Sequence, residues 1–152
     1  MTRVLVLNGP NLGSLGRREP EIYGTATLAD VERTLLARAA ELGVELRCEQ
    51  SNHEGRLLDV LEEEAGRAQG VVVNPGALSH TSIALLDAMR AFPGPVVEVH
   101  ISNIHAREPF RARSRTGAGA RGVVTGLGVH GYALALEAVT RLIAAEQEET
   151  RA

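Results

Sequence analysis

Residues 71–100, VVVNPGALSHTSIALLDAMRAFPGPVVEVH, carry the reading that decides the fold. Val71–Asn74 is a short apolar run, Pro75–Ser79 a turn-rich exit, Thr81–Phe92 a helical stretch, and Pro95–His100 a second apolar run. Apolar strands without polar alternation are buried on both faces, and strands joined through a helix lie parallel. A right-handed crossover then fixes how they sit side by side. The same rhythm extends in both directions. Upstream, Arg3–Leu7 (RVLVL) reads as a strand, and Asn8–Gly24 as a long loop punctuated by Gly9, Pro10, Gly13, Gly16, Pro20 and Gly24. Thr27 and Asp30 have capping-box spacing at the start of a helix facing inward through Leu28, Val31, Leu35 and Leu42 and closed by Gly43. Val44–Glu49 is a strand, Ser51–Gly55 a turn, and the next helix faces inward through Leu57, Leu58, Leu61 and Ala65. Ser79 or Thr81 can cap the helix that follows the third strand. Downstream, Gly122–Thr125 is a fifth strand and His130–Gln147 the last helix, with Tyr132, Leu136, Val139 and Ile143 on one face. Five strands in this rhythm predict an α/β fold: a flavodoxin-like parallel sheet in the order 2-1-3-4-5, with helices on both faces. No repeat or linker interrupts the 152 residues, so a single domain over residues 1–152 is expected.

Composition narrows the chemistry. With 44% hydrophobic and 23% charged residues, the chain has the makings of a full core. A formal net charge of -3 argues against a nucleic-acid or anionic-membrane partner. No apolar run is long enough to span a bilayer, and the opening MTRVLVLNGP lacks a signal-peptide pattern, so a cytoplasmic location is expected. Cys48 is alone, which excludes an internal disulfide. All sixteen basic residues are arginine. Without lysine there is no P-loop, and no Schiff-base chemistry at a lysine amine.

In parallel sheets of this order, ligands bind outside the carboxyl ends of the strands, near the switch between strands one and three. Three segments emerge there. The loop NGPNLGSLGRREPEIYG lacks the G-x-G-x-x-G fingerprint, and its length suits a lid over about residues 8–24. It carries Asn11, Arg17, Arg18 and Tyr23; taken alone, Tyr23 reads as a ring packed on the domain with its hydroxyl in water. The second segment, NPGALSHTS, offers Asn74, which alone reads as a turn former, and His80, which alone reads as a surface residue. The third, EVHISN, puts Glu98 and His100 on one strand face, where a carboxylate can orient an imidazole, and leaves the Ile101 and Ser102 amides available to an anion. Five arginines follow, at 107, 111, 113, 115 and 121, with Glu108 the one acid among them. Such a cluster on an acidic protein suggests a small acidic substrate. Arg113, Arg115 and Arg121 are expected on the solvated or subunit-facing surface. No zinc-like spacing of His, Cys and carboxylates occurs, no G-x-S-x-G elbow is present, and Asn74 stands where a response-regulator receiver needs aspartate.

Four stretches, LNGPNLGSLGRREPEIYG, QSNHEG, VNPGALSHTSIALLDA and VEVHISNIHAREPFR, together resemble the type II 3-dehydroquinate dehydratases, and the likeness runs from Leu5 to the GLGVHGY segment at Tyr132. The resemblance implies a flavodoxin-like subunit assembled as a homododecamer built of trimers, with no metal and no organic cofactor, acting on 3-dehydroquinate. It implies that Tyr23 is the general base, Arg18 a transition-state-stabilising arginine, Asn11 the holder of a water near the enolate oxygen, and His100 the general acid with Glu98 as partner. It further implies that Asn74, His80, Arg111, Ile101 and Ser102 bind substrate, that Asp87 serves a neighbouring subunit's site, and that Arg107 lies near the base. The chain departs from the family pattern at Leu78, commonly aromatic, at Leu86, commonly arginine, at Gly13, commonly asparagine, and in the glycine-rich stretch SRTGAGARG at residues 114–122.

A free phenol ionises near pH 10, so phenolate at neutral pH costs about 4 kcal/mol, and burial raises that cost. Guanidinium groups oppose it, and unlike lysine they do not lose their own proton. The rival reading is a non-catalytic flavodoxin-like module for a flavin or small anion. It needs a Ser/Thr/Gly phosphate cradle after strand one, where this loop offers Arg18 and Tyr23 instead.

Overall fold

A computed structural model describes residues 1–152. Its strands β1 (Arg3–Asn8), β2 (Glu45–Gln50), β3 (Gly70–Asn74), β4 (Val96–His100) and β5 (Gly122–Thr125) form one parallel sheet in the order β2-β1-β3-β4-β5. Side-chain alternation along the three central strands builds a core on each face. Val4, Val6, Val72, Val97 and Val99 point to one side, against α2 (Leu28–Leu42) and α5 (His130–Arg151). Leu5, Leu7, Val71, Val73 and Val96 point to the other, against α3 (Glu54–Glu64) and α4 (Ile83–Ala91).

The Thr27–Asp30 capping box forms as the spacing predicts, and Gly43 ends α2 in the left-handed region at φ 70°. Other boundaries differ, each for a local reason. The segment expected as open loop winds into a 3-10 turn at Leu12–Ser14 and a short helix, α1 (Pro20–Tyr23). Pro20 starts that helix because the first helical residue needs no N–H partner. Neither Ser79 nor Thr81 caps α4; the Ser82 hydroxyl accepts the Leu85 amide at 2.9 Å, and Ser79 lies within a 3-10 turn. Strand β2 begins one residue later than expected and, as an edge, carries Glu45, Arg47 and Glu49 rather than an all-apolar run. In α3, Val60 and Glu64 are buried and Leu58 is half-buried, as is Ala65 just past its end.

Glu64 has no exposed side-chain surface. Arg3 grips it through Nε at 2.9 Å and Nη2 at 3.1 Å, and Arg47 Nη1 donates to it at 2.9 Å. Burial alone would push this carboxyl up, but the two guanidiniums hold it below the usual carboxylate range. Cys48 on β2 is half-buried against the α2–α5 side, and its thiol is pushed up to about 11 by burial and by the Glu32 carboxylate.

Strand register brings Asn8, Gln50 and Asn74 level at the carboxyl ends of β1, β2 and β3. The loops leaving β1 and β3 touch. The Gly9 amide donates to the Asn74 carbonyl at 2.8 Å, and a Cβ on Gly9 would lie 2.5 Å from the Pro75 carbonyl oxygen. Only glycine lets the two loops approach this closely.

Candidate active site

The strand-end cleft is built from those two loops and the segment after β4. Asn11, Arg18, Tyr23, Asn74, His80, His100, Ile101, Ser102, Arg107 and Arg111 all line it. Three arginines and no carboxylate stand among the lining residues, so the cavity is cationic on an acidic protein and suits an anionic ligand. A second hollow, between α2 and α5, is mostly apolar; its one carboxylate, Asp30, is engaged in the capping box.

Tyr23 rests its ring on the α2–α5 core. Its hydroxyl does not end in water, as the isolated sequence suggested: Arg107 Nη1 donates to Tyr23 Oη at 2.7 Å. The Arg107 and Arg18 guanidinium carbons lie 5.2 and 4.7 Å from the ring centroid. Two cations thus stand beside the one phenol. Arg107 Nη1 also donates to Ser102 Oγ at 3.2 Å, which ties the segment after β4 to the first loop. Ser102 and Ile101 leave β4 with amides that donate to no carbonyl or side chain of the chain.

His100 sits behind the opening, its side chain 6% exposed. Its Nε2 meets Glu98 Oε2 at 2.8 Å, and a carboxylate partner makes that nitrogen the donor, leaving Nδ1 as the ring's other nitrogen. Glu98 is fully buried and also accepts from Ser114 Oγ at 2.6 Å and from Thr116 Oγ1. Burial pushes the Glu98 carboxyl up, but the hydrogen bonds from His100, Ser114 and Thr116 outweigh it and hold the group below the usual carboxylate range. Ser114 and Thr116 carry no motif, and the sequence reading missed them; their only signal was two hydroxyls in a glycine-rich stretch.

His80 Nδ1 lies 2.8 Å from the Arg113 carbonyl, an acceptor only, so Nδ1 is the donor there. Arg115 is exposed as expected, yet Nε donates to the His80 carbonyl at 3.1 Å and pins the same turn. Arg111 pairs with Glu108 at 3.0 Å. Asn74 is nearly buried: Oδ1 accepts the Gly76 amide at 3.1 Å and Nδ2 donates to Tyr132 Oη at 2.9 Å. Asn11 adopts a left-handed backbone, φ 70°, clipped by its amide's 2.9 Å bond to Asn52 Oδ1, and its side chain is free in the cleft. Asn52 was the other residue overlooked, although it lies within the quoted QSNHEG stretch. Asp87 is exposed on α4 and is not among the residues lining the cleft of its own chain.

A flavodoxin-like α/β subunit whose strand-end cleft joins a phenol, guanidiniums and an oriented imidazole is an enzyme built for proton transfer on an anion. The chain belongs to the family Dehydroquinase class II, which it matches over residues 2–140. It is 59% identical to a 3-dehydroquinate dehydratase of Chelativorans sp., over 90% of this chain and 94% of that one. It is 55% identical to the 3-dehydroquinate dehydratase 1 of Agrobacterium fabrum, over 93% and 97%. Its fold superposes on the crystal structure of a type II dehydroquinase from Propionibacterium acnes with a TM-score of 0.89 and 45% identity, covering 93% of this chain and 97% of that one.

Proposed function

We infer that this chain catalyses the reversible elimination of water from 3-dehydroquinate to 3-dehydroshikimate through an enolate, in the shikimate route to chorismate and the aromatic amino acids. The observation that carries the reading is the 2.7 Å contact from Arg107 to the Tyr23 oxygen, in the same cleft as the Glu98-oriented His100. Tyr23, as phenolate, takes a proton from C2, and the electron pair moves into the ketone to form the enolate. Arg18 and Arg107 hold the phenolate charge, and Asn11 positions a water at the enolate oxygen. His100 then protonates the C1 hydroxyl, the C1–O bond breaks, and water leaves as the ketone re-forms. Glu98 keeps the imidazole oriented. Asn74, His80, Arg111 and the free amides of Ile101 and Ser102 hold the substrate's hydroxyls and carboxylate. The absence of lysine leaves this proton-transfer route in place of an imine route.

The reading extends to a cytoplasmic enzyme of one domain, with the segment over about residues 8–24 as its lid. It also takes in a homododecamer built of trimers, in which Asp87 reaches a neighbouring subunit's cleft. Exposed Asp87, outside its own cleft, is consistent with that assignment.

Turnover is followed as the rise in ultraviolet absorbance of the conjugated enone. Tyr23→Phe and His100→Ala each lower kcat by about 10²–10⁴-fold with the fold intact by circular dichroism. Wild-type rates in either variant remove that residue from the mechanism, and borohydride added with substrate leaves activity unchanged.

A further inference from the structure

We propose that Thr116, backed by Ser114, is a positioning residue for His100: its hydroxyl occupies Glu98 Oε1 so that the carboxylate remains an acceptor and the shared proton stays on imidazole Nε2. The inference rests on the reading of His100 as the general acid. It is carried by the direction of the hydrogen bonds around a carboxylate with no access to solvent. Glu98 Oε2 takes two donors, His100 Nε2 at 2.8 Å and Ser114 Oγ at 2.6 Å; Oε1 takes one, Thr116 Oγ1. The Ser114 proton is committed, because Ser114 Oγ itself accepts the Gly117 amide at 2.9 Å and so turns its O–H toward Glu98. The two hydroxyl oxygens lie 3.2 Å apart with both protons spent on the carboxylate. Gly117 lets the segment close over the acid: a Cβ there would come within 3.5 Å of Glu98 Oε2 and 3.2 Å of Ser114 Oγ. Thr116 is fully buried beneath it.

No arginine reaches Glu98, so only neutral hydroxyls and the imidazole satisfy its charge. Removing the Thr116 hydroxyl leaves Oε1 as a buried anionic oxygen without a donor, a state relieved when the carboxylate takes the Nε2 proton. In the acid form that donates to substrate, which carries a proton on both ring nitrogens, this transfer leaves a neutral ring with only the Nδ1 proton, a weaker acid. The other ionisable groups of the cleft facing His100 are Tyr23 and Arg18 from the first loop, His80 after β3, and Arg107 and Arg111 after β4. None of them is hydrogen-bonded to Thr116, whose hydroxyl meets only Glu98 and Ser114.

The test compares Thr116→Val with Thr116→Ser. In Thr116→Val, plateau kcat falls about tenfold, KM stays within about twofold, and the alkaline limb of the kcat–pH profile moves up by about one unit, the size expected of one hydrogen bond to a charged group, because the pair releases its proton less readily when the carboxylate has lost a donor. Thr116→Ser restores the limb. The downfield proton resonance of the Nε2–H···Glu98 bond, read without substrate, is lost in Thr116→Val and kept in Thr116→Ser. An unmoved limb and an unmoved resonance in Thr116→Val overturn the proposal, as does a Ser variant no better than Val. Should Thr116→Val not fold, Thr116→Ala removes the same hydroxyl without adding a methyl against Glu98, and the same outcomes decide. If His100→Ala keeps its turnover, the reading of the acid fails instead, while the resonance still reports on Thr116.

Discussion

Tyr132 Oη has one proton to give, and gives it to Asn8 Oδ1 at 2.6 Å while accepting from Asn74 Nδ2 at 2.9 Å. One hydroxyl therefore joins the ends of β1 and β3 to the first turns of α5, and it helps fix which way the Asn74 amide faces. Burial pushes this phenol far above its ordinary range, so it stays protonated and keeps the direction of the bonds. Tyr132→Phe removes the bridge and strands two buried amide groups, and urea unfolding should show a loss of about 1–3 kcal/mol. From the 3.6-residue period Tyr132 was legible as a core position; its partners were not, because both asparagines lie more than fifty residues away in sequence. Tyr23 is different. Periodicity could not reach its partner, 84 residues away, but the resemblance placed Arg107 near it, and the Arg107 guanidinium meets its oxygen.

The elements that bear the cleft were legible where spacing alone decides them. The Thr27–Asp30 box is such a case, and so is the face shared by Glu98 and His100. They were not legible where several candidates compete. Ser79, Thr81 and Ser82 all offer a hydroxyl before α4, and the backbone path selects Ser82, whose Oγ also donates to Glu54 at 2.6 Å. The first loop is the other case. Its prolines and glycines suggested an open segment, yet Asn11 and Glu19 both take left-handed backbone, at φ 70° and 35°, and between them the chain folds back to start α1. Asn52 Oδ1 holds the near end of this loop through the Asn11 amide. Asn52→Ala releases it, and kcat/KM should fall about three- to tenfold, the equivalent of one neutral hydrogen bond, with little change in the unfolding midpoint. An unchanged kcat/KM would show that Asn11 is held by its own backbone preference.

At the scale of the molecule, strand order and the two-faced core followed from the alternation of apolar runs and helices. The charge network did not, since sequence shows that β2 and α3 are charged without showing who pairs with whom. Glu64 and Glu98 are two buried carboxylates, each held below the usual range, one by guanidiniums and one by hydroxyls and an imidazole. A depressed folded-state value contributes stability that is present above the unfolded value, about 4.3, and lost as pH falls through the folded one. The protein should therefore lose stability progressively below about pH 4.3, measured by urea unfolding across acidic pH. Glu64→Gln should show a shallower loss over the same range, at the cost of lower stability at neutral pH, where Arg3 and Arg47 lose their buried charged partner and keep only the more exposed Glu45, Glu49 and Glu63.

The half-buried thiol of Cys48, which stays protonated at neutral pH, has a practical corollary for watching this enzyme at work. Thiolates, not thiols, attack maleimide reagents, so the native chain presents a nearly silent background. A single cysteine placed at exposed Glu21, on the short helix that carries the phenol, would then take a fluorophore selectively. Its anisotropy, recorded with and without ligand, would report whether that helix moves as the cleft fills.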